Sequence, residues 1–297
     1  MNGGCYNMLR LEDIFTEEFK QYNCETKTEI LRKTFMKNHT QILQKNGMEF
    51  CYIYGFFHNL EELIAKNKQS PHQDNWKWAR IYEILLDIQT GKQEFCSWLE
   101  ALKQMNNRAP ETQEMECLIQ LTKVNIATQT NNTDEIKSSF HTFYQNYQRM
   151  EDRMLAYYFN LRFSTYKMRY FFENHELIAL KMTAYDILKE TDVPTITTIA
   201  HIFLGASYIV HSYDQVISHF RTALQIAEAN GLKYLIRAIE DSCLPFVYAH
   251  KDELTYTRSK DSYLFELIEA GGSSRTKLFA ILDRFPIDCI FKLMTEK

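Results

Sequence analysis

Glycine and proline are scarce, at nine and five residues in a chain of 297. A many-stranded sandwich or barrel needs turn formers at short intervals, so this economy argues against one and favours helices joined by short links. Basic excess is also missing. Thirty-four Lys and Arg stand against 38 Asp and Glu, a formal net charge of −4, so the whole chain offers no electrostatic funnel toward nucleic acid. Residues 1–70 hold nine basic and nine acidic side chains, whereas a DNA-reading head at that end would be basic. Operator binding is therefore expected to be weak or absent. Long apolar runs are lacking too. Cys243-Leu-Pro-Phe-Val-Tyr-Ala249 falls far short of the ~20 residues of a membrane span. The start, Met1-Asn-Gly-Gly-Cys-Tyr6, has neither the charged region nor the apolar stretch of a signal peptide. A cytoplasmic protein without membrane contact is expected.

The seven cysteines are odd in number, widely spaced, and never form Cys-x-x-Cys, which argues against a zinc ribbon or a disulfide scaffold. Buried thiols in a reducing compartment are the expectation. No phosphate-binding loop, dinucleotide fingerprint, zinc-protease motif, nucleophile elbow or EF-hand loop occurs. In His175-Glu176-Leu177-Ile178-Ala179 the second histidine that a metal would need is an alanine, so this stretch reads as a helix start. His201, His211 and His219 lack the i, i+4 spacing of ligands on one helix. Cys243 could pair with His250, seven residues and two helical turns away, but reads more simply as a buried cysteine beside Pro245 in an apolar run. No enzyme, metal or cofactor is expected.

What the chain does have is helical periodicity nearly throughout, with 18 Tyr, 20 Phe and three Trp to pack helix against helix. The pattern predicts helices over 9–21, 26–44, 50–65, 76–90, 94–104, 110–128, 133–151, 153–174, 175–191, 196–211, 214–229, 233–250, 261–270 and 274–283. The polar stretch 66–75 marks a boundary between an N-terminal helical segment, 1–75, and the remainder, 76–297. Gly271-Gly272 reads as a helix stop followed by a serine-capped start.

Within 199–231 a repeat unit is legible. Leu204-Gly205, Tyr208, Val216, Phe220 and Ala223 follow the order of a tetratricopeptide hairpin. Gly205 is expected to permit close helix approach, Tyr208 to fill the groove, and Ala223 to let the next hairpin stack. Echoes 39 and then a further 41 residues upstream place Leu177 and Ala184, then Ile136 and Phe143, at equivalent positions. The expected fold is all-α, a right-handed α-solenoid of tetratricopeptide-like hairpins over 76–297.

Two features could carry recognition. Trp76-Lys-Trp78 is either an aromatic platform or, more simply, a pair of rings anchoring a helix. Arg162, Tyr166, Arg169 and Glu173 share one helix stripe by their i, i+3 and i+4 spacing. That stripe is either a solvated face or a peptide-holding face on the concave side of the solenoid. His201 and Tyr208, on the best-formed hairpin, complete the candidate peptide-binding set. A general protein-binding adaptor, the commonest use of such solenoids, is the alternative function.

The stretch 160–231 resembles the AimR-type arbitrium receptors of Bacillus phages, relatives of the Rap and PlcR-like peptide sensors. The resemblance rests on Arg162, on Tyr170-Phe-Phe-Glu-Asn-His-Glu-Leu177, on Leu204-Gly-Ala-Ser-Tyr-Ile-Val210, and on the following helix with Ala223. A weaker likeness runs upstream through Glu29-Ile-Leu-Arg-Lys-Thr-Phe-Met-Lys-Asn-His39, Glu61-Glu-Leu-Ile64 and Trp78-Ala-Arg-Ile-Tyr-Glu83. It implies a helical-repeat receptor whose short secreted peptide controls operator binding and the choice between lysis and lysogeny. It also implies two departures. Family members carry a helix-turn-helix head before the region matching 9–65, where this sequence has eight residues, and a fuller C-terminal cap that supports a homodimer. By the same resemblance, Arg169 and Glu173 stand where other members use asparagines and Thr195 where they use an arginine, which implies a different peptide.

Overall fold

A computed structural model describes residues 19, 21–22, 24–37, 41–70, 73–92, 94–106, 112–130, 132–209, 212–252 and 280–291. Its described elements are helices with no strand among them. In chain order they are α1 (Cys24–Lys37), α2 (Gln41–Tyr54), α3 (Phe57–Lys68), α4 (Gln73–Gln89), α5 (Phe95–Asn106) and α6 (Gln113–Gln129). There follow α7 (Thr133–Tyr147), α8 (Arg153–Glu173), α9 (Leu177–Glu190), α10 (Pro194–Ser207) and α11 (Tyr213–Ala229). The run α12 (Lys233–Ala238), a π-helical turn (Ile239–Cys243) and α13 (Leu244–Ala249) comes next, and a 3-10 turn, Ile287–Phe291, lies near the C-terminus. The expected helix at 261–270 and the break at Gly271-Gly272 lie outside the described residues, as does most of 9–21 and of 274–283.

Several helix starts follow from capping chemistry. Thr112, Asn132, Asp152 and Ser212 each accept a hydrogen bond from the backbone N–H three residues on, beginning α6, α7, α8 and α11. Each cap satisfies an N–H that the first turn leaves without a partner and is worth about 1 kcal/mol. His175 takes a positive φ of 58° between α8 and α9, and Glu176 occupies the N-cap position of α9 without a side-chain hydrogen bond, so the motif at 175–179 is a helix start as expected.

The N-terminal boundaries differ from the periodic reading. The sequence pattern puts one helix over 26–44, a break at 45–49 and another helix over 50–65. Instead α2 runs through 45–49, and the chain turns at Gly55, whose φ is +76°. Gly47 is a contact glycine rather than a turn. A methyl there would stand 2.8 Å from the Phe35 ring, so its lack of a side chain lets α1 lie against α2. Likewise 233–250 is helical but widened by the π-helical turn at Ile239–Cys243.

Neighbouring helices pair in sequence: α2 with α3, α3 with α4, α6 with α7, α8 with α9, α9 with α10, and α10 with α11. The repeat unit at 199–231 forms the α10–α11 hairpin. At Gly205 a methyl would fall 2.3 Å from the Phe220 ring, so the glycine makes that close approach possible. Ala223 is fully buried, and Tyr208 sits at the C-terminal end of α10, stacked on His219.

The stack is not open along its length. α2 reaches past its own neighbours to pack on α8 and α10, while α8 also touches α6. α6 and α8 consequently bury side chains on every face, which fits their weak amphipathic pattern. Trp78, Tyr82, Phe50, Phe143, Phe159, Phe203 and Phe220 are among the fully buried side chains of one continuous core. Trp78 stacks on Phe159, with ring centroids 6.2 Å apart, whereas Trp76 is 42% exposed; only the second ring of that pair anchors its helix.

Candidate functional site

The stripe on α8 is not a solvated face. Arg162, Tyr166 and Arg169 are each no more than 3% exposed, because α2 and the C-terminal turn cover the side of α8 that carries them. Burial of charge demands partners, and each arginine has found different ones.

Arg162 lies beneath α2. Its Nη1 is 3.1 Å from Glu49 Oε2, in an ion pair with both side chains almost wholly withdrawn from water. Tyr82 donates its hydroxyl to the same Glu49 oxygen. The guanidinium stands 5.2 Å from the Tyr52 ring centroid and 5.3 Å from that of Phe159. Burial pushes the Glu49 carboxyl up from its ordinary range, with Arg162 and Tyr82 opposing. Burial also works against the Arg162 charge, but Glu49 and the surrounding tyrosines outweigh it and keep the guanidinium charged. Arg162 Nε and Nη2 and Glu49 Oε1 make no hydrogen bond within the chain. Tyr166, one turn along α8, has its hydroxyl pushed up by the same burial.

Arg169 sits two turns from Arg162 and lines a polar cavity of about 420 Å³. Its Nε donates to Glu173 Oε1 at 2.7 Å and its Nη2 to Asp288 Oδ1 at 2.6 Å. The Phe291 ring centroid lies 5.0 Å from the guanidinium. Nη1 has no hydrogen-bond partner. Among the other lining residues, His175 Nε2 stands 2.8 Å from Asp283 Oδ1. Thr128 and Gln129 from the end of α6 and residues 282–288 complete the wall.

His201 and Tyr208 lie apart from both arginines in the α9–α11 layer. His201 Nδ1 is 3.1 Å from His219 Nδ1, Tyr208 stacks on His219, and the Tyr208 and Tyr185 hydroxyls are 3.1 Å apart. Lys181 Nζ lies 3.9 Å above the Tyr208 ring. Burial, with His219 adding to it, lowers His201 to about 4, and burial with Lys181 lowers His219. Hydrogen bonding to Tyr185 raises Tyr208 to about 12. Both imidazoles are thus neutral near pH 7. Thr195 is buried near the start of α10.

The six expected site residues therefore occupy three places: Arg162 with Tyr166, Arg169 with Glu173, and His201 with Tyr208. Sequence reading missed Glu49 and Asp288, the carboxylates that hold the two arginines. Glu49 carried one usable signal, a lone charge in the apolar run Met48-Glu-Phe-Cys-Tyr-Ile53. Asp288 carried none, being 119 residues from Arg169.

A sequence model described as AimR transcriptional regulator-like matches residues 28–282. The chain belongs to this family. It is a family of transcriptional regulators rather than of enzymes. Two solved AimR structures share the fold. One, described as phAimR-Ligand, superposes with a TM-score of 0.68 at 12% identity, covering 96% of this chain and 94% of that one. The other, a selenomethionine phAimR, gives a TM-score of 0.55 at 13% identity, with coverages of 93% and 86%. At such identity the likeness speaks for the AimR fold alone. No curated protein matches the sequence. Among the described residues of this AimR-like chain, no helix is long and apolar enough to cross a membrane, and no three His, Cys, Asp or Glu converge on a metal position.

Proposed function

We propose that this AimR-like chain is a peptide-sensing transcriptional regulator that takes part in a phage's choice between lysis and lysogeny, acting in the cytoplasm without catalysis of its own. The observation that carries the reading is Arg169. A buried guanidinium with a nitrogen lacking a hydrogen-bond partner, beside a polar cavity of about 420 Å³, offers charge-assisted recognition to a short peptide. In this proposal Arg169 and Glu173 contact the peptide directly, Arg162 and Tyr166 form the floor behind them, and His201 and Tyr208 extend the contact surface along α10. Residues 1–75 are proposed as an N-terminal helical segment and 76–297 as the receptor solenoid. A solved phAimR described with a ligand is consistent with a family that binds one.

Isothermal titration with short peptides encoded beside the gene tests this. Saturable binding that Arg169→Ala abolishes is expected; absence of heat across the whole peptide set overturns the reading. Gel-shift titration against neighbouring intergenic DNA tests the accompanying expectation of weak DNA affinity, which rests on the balanced charge of residues 1–70.

A second reading, a protein-binding adaptor, is favoured by one feature. Ile178, Met182 and Tyr185 recur at i, i+4 and i+7 on α9 and are 80%, 63% and 40% exposed. Stoichiometric capture of a protein partner without peptide, lost in Met182→Glu, would favour it.

A further inference from the structure

Two cysteines that the sequence holds 46 residues apart meet in the fold. Cys243 ends the π-helical turn after α12, and Cys289 lies in the 3-10 turn Ile287–Phe291. Their Sγ atoms are 3.9 Å apart, with Cys243 fully buried and Cys289 8% exposed. Cys289 also stands 3.8 Å from the Ala238 carbonyl oxygen. A single π turn inside an α-helix is rare and recurs at functional positions. The neighbouring residue, Asp288, holds Arg169, so the turn bearing Cys289 is also a wall of the polar cavity.

The two thiols are not equivalent. The contact shared with Cys243, with a smaller one from Ser242, outweighs burial and pulls the Cys289 thiol below its ordinary value, while the same contact and burial push Cys243 well above its own. Cys51 and Cys117 are pushed up by burial, and Cys96 is exposed with no thiol beside it among the described residues. Cys289 is the described cysteine whose thiol is lowered and which has a second thiol within 4 Å, the arrangement of redox-responsive pairs.

We propose that Cys243 and Cys289 are a reversible oxidation site at which a peroxide drives formation of a disulfide that fastens the turn 287–291 to the π-helical turn. The Cys289 thiolate attacks one peroxide oxygen. The O–O bond breaks, an S–O bond forms, and the departing hydroxide takes a proton to become water, leaving a sulfenic acid. Cys243 then attacks the Cys289 sulfur as its proton is lost. The S–S bond forms, the S–O bond breaks, and the hydroxyl leaves as a second water. Two thiols are oxidised by two electrons, and one peroxide is reduced to two waters. A disulfide spans ~2.05 Å, so the sulfurs must close by about 2 Å. That movement is shared between the ends of two helical turns. A dithiol reductant restores the starting state.

The test treats the full chain with hydrogen peroxide and maps non-reduced peptides by mass spectrometry, with amide exchange followed on the same samples. The expected result is a 243–289 linked peptide that a dithiol removes, together with slower exchange across 287–291 in the oxidised form. In Cys243→Ser the sulfenic acid at Cys289 is expected to persist and to be trapped by a 1,3-diketone probe. Oxidation of Cys96 without a 243–289 linkage in the unsubstituted chain overturns the proposal. So does a linkage that leaves exchange across 287–291 unchanged, because the turn would then not be fastened.

Discussion

Arg169 on α8 and Asp288 in the C-terminal turn meet at 2.6 Å across 119 residues of sequence. This contact places a carboxylate of the chain itself on the arginine proposed to receive a ligand. The Arg169 side chain is 3% exposed and that of Asp288 54%, so the pair straddles the boundary between core and solvent. At this proposed site an incoming anionic group would compete with Asp288, whereas a cationic one would be drawn to the acids around it.

Asp288→Asn separates these cases. Loss of its charge is expected to tighten binding of a ligand that presents a carboxylate to Arg169 and to weaken a ligand that presents a guanidinium or ammonium. A charge-assisted hydrogen bond is worth about 1.5–3 kcal/mol, so the shift should be roughly tenfold or more. Titration of wild type and variant with matched acidic and basic peptides measures it. Equal affinities for both would exclude Asp288 from the ligand site.

The buried Glu49–Arg162 pair is expected to respond asymmetrically to mutation. Glu49→Ala leaves a buried arginine without its carboxylate and should cost about 3–5 kcal/mol, while replacing both with Leu and Met should recover much of that loss. Urea unfolding of the two variants checks this. Equal destabilisation would mean that the pair contributes more than its desolvation costs.

Gly205→Ala is expected to destabilise by about 1–3 kcal/mol, since the methyl would press on Phe220 at 2.3 Å. Adding Phe220→Leu should return part of the loss. Gly91, where a methyl would meet nothing within 4 Å, serves as the contrast. Its φ of +82° costs strain of about 1 kcal/mol in an alanine variant, and no second-site change in the core should relieve it. Thermal melts of these variants decide between overpacking and backbone strain.

His201 titrates at about 4 in the folded chain against an unperturbed 6.5. The unfolded chain therefore binds more protons between those values, and stability rises with pH across that window. The contribution is fully present above pH 6.5 and is lost as pH falls toward 4. His201→Gln, which cannot take the proton, should flatten the decline in melting temperature between pH 6.5 and 4. An unchanged slope would show that His201 is not the group responsible.

Helical class, most helix starts and the α10–α11 hairpin were legible in the sequence because they rest on local rules. Apolar residues recur with the helical period, Thr112, Asn132, Asp152 and Ser212 cap the turns that follow them, and a glycine facing an aromatic lets two adjacent helices close. The same local rules misplaced the α2 boundaries. A glycine in sequence does not disclose whether it turns the chain, as Gly55 does, or admits a neighbouring ring, as Gly47 does.

The four-residue stripe from Arg162 to Glu173 followed from spacing alone, yet its environment did not. Two equally spaced arginines became different objects once α2 set Glu49 against one and the C-terminal turn set Asp288 against the other. Cys243 and Cys289, with no sequence motif between them, became neighbours by the same kind of packing. Periodicity and capping act over a few residues and are written in the chain. Partners for buried charges and thiols come from any distance along it, and only the packing of the helices selects them.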